Sequence, residues 1–282
     1  MIYEKTEFNC KGKHFNENWY KYIINSNSDG YFNSNGNKKV LFKFRKKMIS
    51  PDLSNLAINV FLKESKKKHG NRGMASGIPS GRKTARTLTA TGQSEGVYSS
   101  SNISGYFDRP LREHRGILGT IVACRTTAFT LKNVSLWESG LPFVQRCSKI
   151  YKNLAPKEWN LQKKEYKLIN EQLKIPKTVF TTVTSNYNWR TACHCDAGDF
   201  SGGLGNLIVV GRDFTGGYLG FPEFKVLIKI EPGDFLLMDV HQYHCNTPII
   251  GNGFRLSFVM YIREDSSKCK KLKIIENTKY FV

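Results

Sequence analysis

The stretch Trp189-Arg190-Thr191-Ala192-Cys193-His194-Cys195-Asp196 sets a histidine and an aspartate two residues apart. Alternate side chains of an extended strand face one side, so His194 and Asp196 are expected to point together, with Cys193 and Cys195 pointing away. An imidazole and a carboxylate on one face make two legs of a metal site, and the third must come from a distant strand. His244 follows the turn Pro232-Gly233-Asp234 and the apolar run Phe235 to Val240, which returns it across a barrel. Two histidines and one carboxylate leave coordination positions open, the geometry of non-haem Fe(II) oxygenases. Zinc is the alternative, since Cys193, His194, Cys195, His244 and Cys245 are soft ligands, but no C-x₂-C pair is present.

Outward from this core, Arg255 stands eleven residues past His244 and opens the apolar strand Arg-Leu-Ser-Phe-Val-Met-Tyr261. A buried guanidinium binds a carboxylate bidentately and keeps its charge, which suits the distal carboxylate of a 2-oxo acid. His241, three residues before His244, is a rival third ligand. From Pro176 onward the pattern is β-rich: Thr178 to Thr184, Asn206 to Val210, Lys225 to Ile230, Phe235 to Val240 and Leu256 to Ile262, with Gly-rich turns between. Ahead of it, Leu141 to Leu154 and Glu158 to Leu173 have helical spacing, and Ile117 to Ala123 and Thr126 to Leu131 read as strands. In the first third, 39–44 alternates like a strand and Ile58 to Leu62 is a short apolar run. Short strands with regular turn signals predict a mainly β, α+β fold with a double-stranded β-helix (jelly-roll, cupin-like) core and flanking helices.

The chain has 282 residues, 40% hydrophobic, and a net charge of +20. No apolar run approaches the roughly 20 residues that span a bilayer, and Met1 to Cys10 lacks an apolar signal-like core, so an intracellular protein is expected. Seven irregularly spaced cysteines argue against a disulfide framework and for reduced thiols. The charge creates a field that attracts polyanions such as nucleic acid. Lys63 to Ser101, with Lys66-Lys67-Lys68, Arg72, Arg82-Lys83 and Arg86, reads as a mobile basic loop, either a phosphate-contacting arm or a solvated insertion.

These residues resemble the TET/JBP family, oxygenases that oxidise the methyl group of 5-methylcytosine or thymine in DNA. The likeness runs through Gly105-Tyr106-Phe107-Asp108, Cys124 to Thr130, the helix pair, Trp189 to Asp196, Gly216-Gly217-Tyr218, His244-Cys-Asn-Thr-Pro248 and Arg255 to Tyr261. The resemblance implies Fe(II) held by His194, Asp196 and His244, in preference to His241. It implies 2-oxoglutarate and O2 as co-substrates, with Arg255 and Arg190 on the co-substrate side. It places Asp199, Tyr261, Arg263 and Asn102 at the base. Family members that act on DNA often carry His at position 263, so Arg263 is a departure. A carboxylate at Asp199 accepts the exocyclic amine of cytosine, which favours 5-methylcytosine over thymine.

The implied organisation is a basic region over 1–100, the oxygenase domain over 101–265 and a tail over 266–282. The partner is DNA, the protein a monomer, and its location wherever that DNA resides, such as the nucleus. The alternatives are a hydroxylase of the same chemistry acting on a protein side chain or small molecule, and a non-catalytic nucleic-acid-binding barrel.

Overall fold

The computed structural model describes residues 1–70, 73–77, 98–196 and 198–282. It divides into two compact units. One comprises Met1–Asn102, Ser185–Asp196 and Leu207–Phe258; the other comprises Ile103–Thr184, Ala197–Asn206 and Val259–Val282. These boundaries do not follow the expected division at 100 and 265. Most of the basic stretch Lys66 to Arg86 lies outside the described residues. Among the described residues, no helix is long and apolar enough to cross a membrane.

The first unit opens with a hairpin of Ser28–Ser34 and Asn37–Arg45. Its turn is Asn35-Gly36, both at positive φ (50° and 75°). That conformation matches the right-handed twist of the flanking strands, and Asn-Gly adopts it at least cost. Asn37–Arg45 then pairs antiparallel with Phe235–Met238. Leu41, Phe42, Phe44 and Phe235 to Leu237 are fully buried, so this pairing forms the floor of the core. The turn before Phe235 is closed by the buried carboxylate of Asp234, which accepts from the backbone N–H groups of Glu231 (2.9 Å) and Lys47 (3.0 Å).

A second, four-stranded sheet in this unit runs in the order Tyr22–Ile24, Val226–Ile228, Leu219–Phe221, Cys245–Asn246. Ile58 to Leu62 is not a strand but part of the helix Pro51–Ser65. Ser50 caps that helix, Pro51 opens it, and the buried residues Ala57, Val60 and Phe61 keep helical spacing.

In the second unit, the helix Val134–Leu154 buries Trp137, Phe143, Val144, Cys147, Ile150 and Tyr151 along one face. Pro156–Leu168 follows, ending earlier than the expected Leu173. The stretch 266–282 is not a loose tail. Leu272–Ile275 and Thr278–Phe281 form a hairpin, and the latter pairs with Cys124–Thr126.

That pairing sets Phe281 opposite Cys124 and brings Cys124 to Cys269, joined by a disulfide. The expectation of wholly reduced thiols is corrected here, because residues 145 apart in sequence meet only through the sheet. The expected strands at 117–123 and 126–131 are also corrected. They are the helix Arg115–Leu118, the short strand Cys124–Thr126 and the helix Ala128–Lys132. Phe129 and Thr130 are both buried while Leu131 is exposed, a sequence that strand alternation would not allow. Thr130 is held inside because its hydroxyl accepts from the Gly105 N–H at 2.7 Å.

Gly105 leaves no room for a side chain against the backbone of this unit. Its φ is +83°, and a Cβ there would lie 2.5 Å from the Thr181 carbonyl oxygen. Gly105→Ala is therefore expected to lose about 1–3 kcal/mol from backbone strain, with the carbonyl clash in addition. Chemical denaturation, read as a lower midpoint at unchanged slope, checks this.

Candidate metal and co-substrate site

The segment 191–196 is not a regular strand. His194 makes an isolated antiparallel bridge with His244, in which each backbone N–H donates to the other's carbonyl at 3.0 Å. Asp196 is fixed by its own N–H, which donates to the Val240 carbonyl at 3.0 Å. Two backbone contacts thus register the HxD segment against the segment carrying the distant histidine. The side chains converge: Asp196 Oδ1 lies 3.6 Å from His194 Nε2, and Asp196 Oδ2 lies 3.6 Å from His244 Nε2. One ligand atom from each of the three lies within 4.8 Å of the others.

Both rings are oriented for coordination. His194 Nδ1 is 2.8 Å from the Ala192 carbonyl, and His244 Nδ1 is 2.9 Å from the Gln242 carbonyl. A carbonyl only accepts, so each Nδ1 carries the proton and each Nε2 presents a lone pair. Burial, with His194 close by, lowers the His244 pKa to about 4, so its ring is neutral at physiological pH. His241 is not in this group; its Nε2 is buried without a hydrogen-bond partner among the described residues. Cys193 and Cys245, beside the two histidines, pack with Cys10, Phe15, Tyr20 and Leu227 in a separate apolar cluster. Cys195 is half-buried, and neither it nor Cys193 belongs to the group that can hold a metal.

Arg255 is 1% exposed, yet its Nε and Nη2 have no hydrogen-bond partner among the described residues. Burial lowers its pKa to about 10, which leaves it charged at neutral pH. A buried guanidinium without a counter-charge costs several kcal/mol, on the order of the loss when one partner of a buried pair is removed. An anion bound here would offset it, and a dicarboxylate has the matching chemistry. Gly216-Gly217 presses on this arginine. Gly217 has φ +62°, and a Cβ there would lie 2.7 Å from Arg255 Cδ and Nε.

Asn246 ties these parts together, and the sequence reading missed it. Its Oδ1 accepts from the Thr191 hydroxyl at 2.7 Å. Its Nδ2 donates to the Gly217 and Tyr218 carbonyls at 3.1 and 3.3 Å. Its backbone N–H donates to the Thr191 carbonyl at 3.1 Å. One side chain thus joins the HxD segment to the turn that covers Arg255. Arg190 donates to the carbonyls of Asn246 (3.2 Å) and Phe15 (3.1 Å) and to Asn16 Oδ1 (3.0 Å), which makes it a clamp on the N-terminal segment. Asn102 is half-buried on the strand Tyr98–Phe107.

The remaining expected residues lie in the second unit. Arg263, which the family resemblance places at the base, meets two carboxylates. Its Nε donates to Asp108 at 2.9 Å and its Nη1 to Asp199 at 3.3 Å, with the guanidinium 5.1 Å from the centre of the Phe107 ring. Gly198 is needed beside it, since a Cβ would fall within 2.5 Å of the guanidinium. Tyr261 has its hydroxyl 2.9 Å from the Thr184 hydroxyl. Asp108 had been visible only as the end of the Gly-Tyr-Phe-Asp motif, with no signal that it would pair with residue 263.

Residues 104–264, more than half of the chain, match the Tet_JBP family, described as the oxygenase domain of the 2OGFeDO superfamily. The chain is 35% identical over 192 residues to thymine dioxygenase JBP1 of Crithidia fasciculata, covering 68% of this chain and 22% of that protein. It is 34% identical over 184 residues to thymine dioxygenase JBP1 of Trypanosoma brucei brucei, covering 64% and 21%. The chain thus spans about a fifth of the length of these relatives. The solved structure of NgTET1 in complex with 5mC DNA aligns over 94% of this chain and 85% of that one, with a TM-score of 0.55 and 12% identity. The shared fold is α+β with a jelly-roll core, as the strand pattern predicts.

Asn246→Asp tests the tie between the two loops. It keeps the shape but turns an oxygen toward the Gly217 and Tyr218 carbonyls, an unsatisfied contact that costs about 1–3 kcal/mol. The expected result is a lower melting temperature, with weaker 2-oxoglutarate binding in calorimetry. Thr191→Val, which spares the Gly217 side, is expected to leave that binding closer to wild type.

Proposed function

The chain belongs to the Tet_JBP family of oxygenase domains in the 2OGFeDO superfamily, and on that premise we propose that it oxidises the 5-methyl group of a pyrimidine base in DNA. The observation that carries the chemistry is the presence, within one unit, of a His-Asp-His group with free Nε2 lone pairs and a buried arginine whose Nε and Nη2 have no partner among the described residues. His194, Asp196 and His244 hold Fe(II), and the guanidinium of Arg255 binds the distal carboxylate of 2-oxoglutarate. Bound together with O2, this pair supplies the oxidising power for hydroxylating a C–H bond.

The protein's own part is orientation. The carbonyls of Ala192 and Gln242 hold the two imidazoles in one tautomer, the Gly216-Gly217 turn closes over Arg255, and the apolar cluster around Cys193 and Cys245 backs the ligands. Because a base in a duplex is out of reach, the target nucleotide flips out of the stack. Asp199 and Tyr261 contact that base, and Arg263 with Asp108 holds Asp199 in place. Arg263 is shared between Asp108 and Asp199, so it offsets part of the Asp199 charge and lessens the electrostatic reason for preferring cytosine. The relatives at 34–35% identity are named for thymine, so thymine is the substrate proposed first.

Three variants, His194→Ala, Asp196→Ala and His244→Ala, are each expected to abolish turnover with the fold intact, whereas His241→Ala keeps iron. Arg255→Met is expected to raise the 2-oxoglutarate requirement steeply, by a loss of about 2–5 kcal/mol typical of a truncated buried charge pair. Iron content and succinate release as a function of 2-oxoglutarate decide both; iron lost from the His241 variant and retained by the His244 variant would reverse the ligand assignment.

Base identity is read by mass spectrometry of nucleosides from duplexes carrying thymine alone or thymine with 5-methylcytosine, incubated with enzyme, Fe(II) and 2-oxoglutarate. 5-Hydroxymethyluracil is the expected product. Oxidation confined to 5-methylcytosine would restore the cytosine preference, and oxidation of neither base would defeat the proposal.

A further inference from the structure

The helix Pro156–Leu168 buries one residue, Gln162. Its apolar contact is through Tyr166, which packs half-buried against the cluster of Cys124, Ile169, Leu173 and Ile262. Gln162 Oε1 accepts from the Tyr151 hydroxyl at 3.3 Å, its Nε2 donates to the Val179 carbonyl at 2.8 Å, and the Tyr166 hydroxyl donates to the Ile175 carbonyl at 2.7 Å. Glu158, Trp159, Glu165 and Tyr166 are half-buried, and the face that the helix presents to water is cationic. From Arg146 to Lys167 the chain carries seven basic residues against Glu158 and Glu165.

The cations are also brought close in space. The ammonium groups of Lys152, from the preceding helix, and Lys163 lie 5.2 and 5.0 Å from the centre of the same Trp159 ring. Lys163 and Lys167 are four residues apart on one helix, a like-charge spacing that costs a few tenths of a kcal/mol. Two further lysines do structural work at the helix end: Lys174 donates to the Lys167 carbonyl, and Lys270 to the Leu168 carbonyl. By contrast, Lys149, Lys152, Lys163, Lys164 and Lys167 are all exposed, and among the described residues none forms an ion pair with a carboxylate. Among the described residues, Glu158 and Glu165 offset only part of this concentration of charge. A polyanion would offset the rest.

We infer that the surface formed by Lys149, Lys152, Trp159, Lys163, Lys164 and Lys167 is a docking face for the phosphodiester backbone of duplex DNA flanking the target base. This rests on the reading of DNA as substrate. Lysines act as point charges that track phosphates without reading sequence, so the face supplies grip and no base preference. The Trp159 ring holds two of the ammonium groups by cation–π attraction, which limits the side-chain freedom lost on binding.

The test is binding of a fluorescent duplex, measured by anisotropy across a salt series, for wild type, Lys152→Glu/Lys163→Glu, Lys152→Arg/Lys163→Arg, and a control, Lys38→Glu/Lys39→Glu. The control changes net charge equally at exposed lysines of the other unit. Each phosphate contact contributes about 0.9 to the slope of log K against log salt. The expected result is a slope about 2 smaller in magnitude for the Lys152/Lys163 reversal, at least a tenfold loss of affinity, retention in the arginine variant, and a slope near wild type for the control. Circular dichroism confirms that the variants fold. Equal loss in both reversals would mean that only net charge matters, and an unchanged slope in the Lys152/Lys163 variant would remove the face from the DNA path; either overturns the inference while DNA remains the substrate. A wild type that binds no duplex but oxidises free thymidine would overturn the DNA reading itself.

Discussion

Two hydrogen bonds hold the chemistry of this protein in place: the reciprocal backbone pair between His194 and His244. They lie fifty residues apart, and neither belongs to a longer ladder at that point. A single exchanged pair fixes the separation and register of the two segments. That spacing lets both Nε2 atoms reach the carboxylate of Asp196. The carbonyls of Ala192 and Gln242 then choose the tautomer. Backbone geometry settles the distance, and local carbonyls settle the protonation.

The two buried arginines show opposite solutions to one electrostatic problem. Taking a guanidinium out of water is costly, and the cost is met only by an anion with good geometry. Arg263 meets Asp108 and Asp199 inside its own unit, with the Phe107 ring beside it. Arg255 has neither carboxylate nor hydrogen bond for its Nε and Nη2 among the described residues. The first arrangement is paired within the folded chain; the second leaves donors open to an anion. By magnitude, a deficit of several kcal/mol at one side chain is comparable to a sizeable share of a domain's whole stability. Such a deficit at Arg255 is a sign of function. Pairing at Arg263 makes it a brace between Asp108 and Asp199.

Polar side chains do much of the positioning. Asn246 links the HxD segment to the Gly216-Gly217 turn, Gln162 anchors a mostly exposed helix, and Asp234 closes the turn that leads into the core strand. Each sits where an apolar residue of similar size would leave backbone groups unpaired. Buried networks of this kind confer one arrangement on loops that apolar packing would leave loosely specified.

The sequence by itself determined the fold class, the β-rich second half, the pair of helices and the convergence of His194, Asp196 and His244. These were legible because they rest on local signals: two-residue alternation, helical spacing, Gly-rich turns and ligand chemistry at fixed offsets. Asn35-Gly36 was an equally local signal that went unread. The tertiary structure alone decided what depends on distant partners. Ile117 to Ala123 and Thr126 to Leu131 have strand-like composition, yet Gly105 and its neighbours draw Thr130 into a helix. Cys124 meets Cys269 only because Thr278–Phe281 pairs beside it. Arg263 is a base contact by position and a brace by geometry, because Asp108 arrives from 155 residues away. Spacing along a chain records which residues share a face, but which charge is matched is decided by whatever the rest of the fold brings within 3 Å.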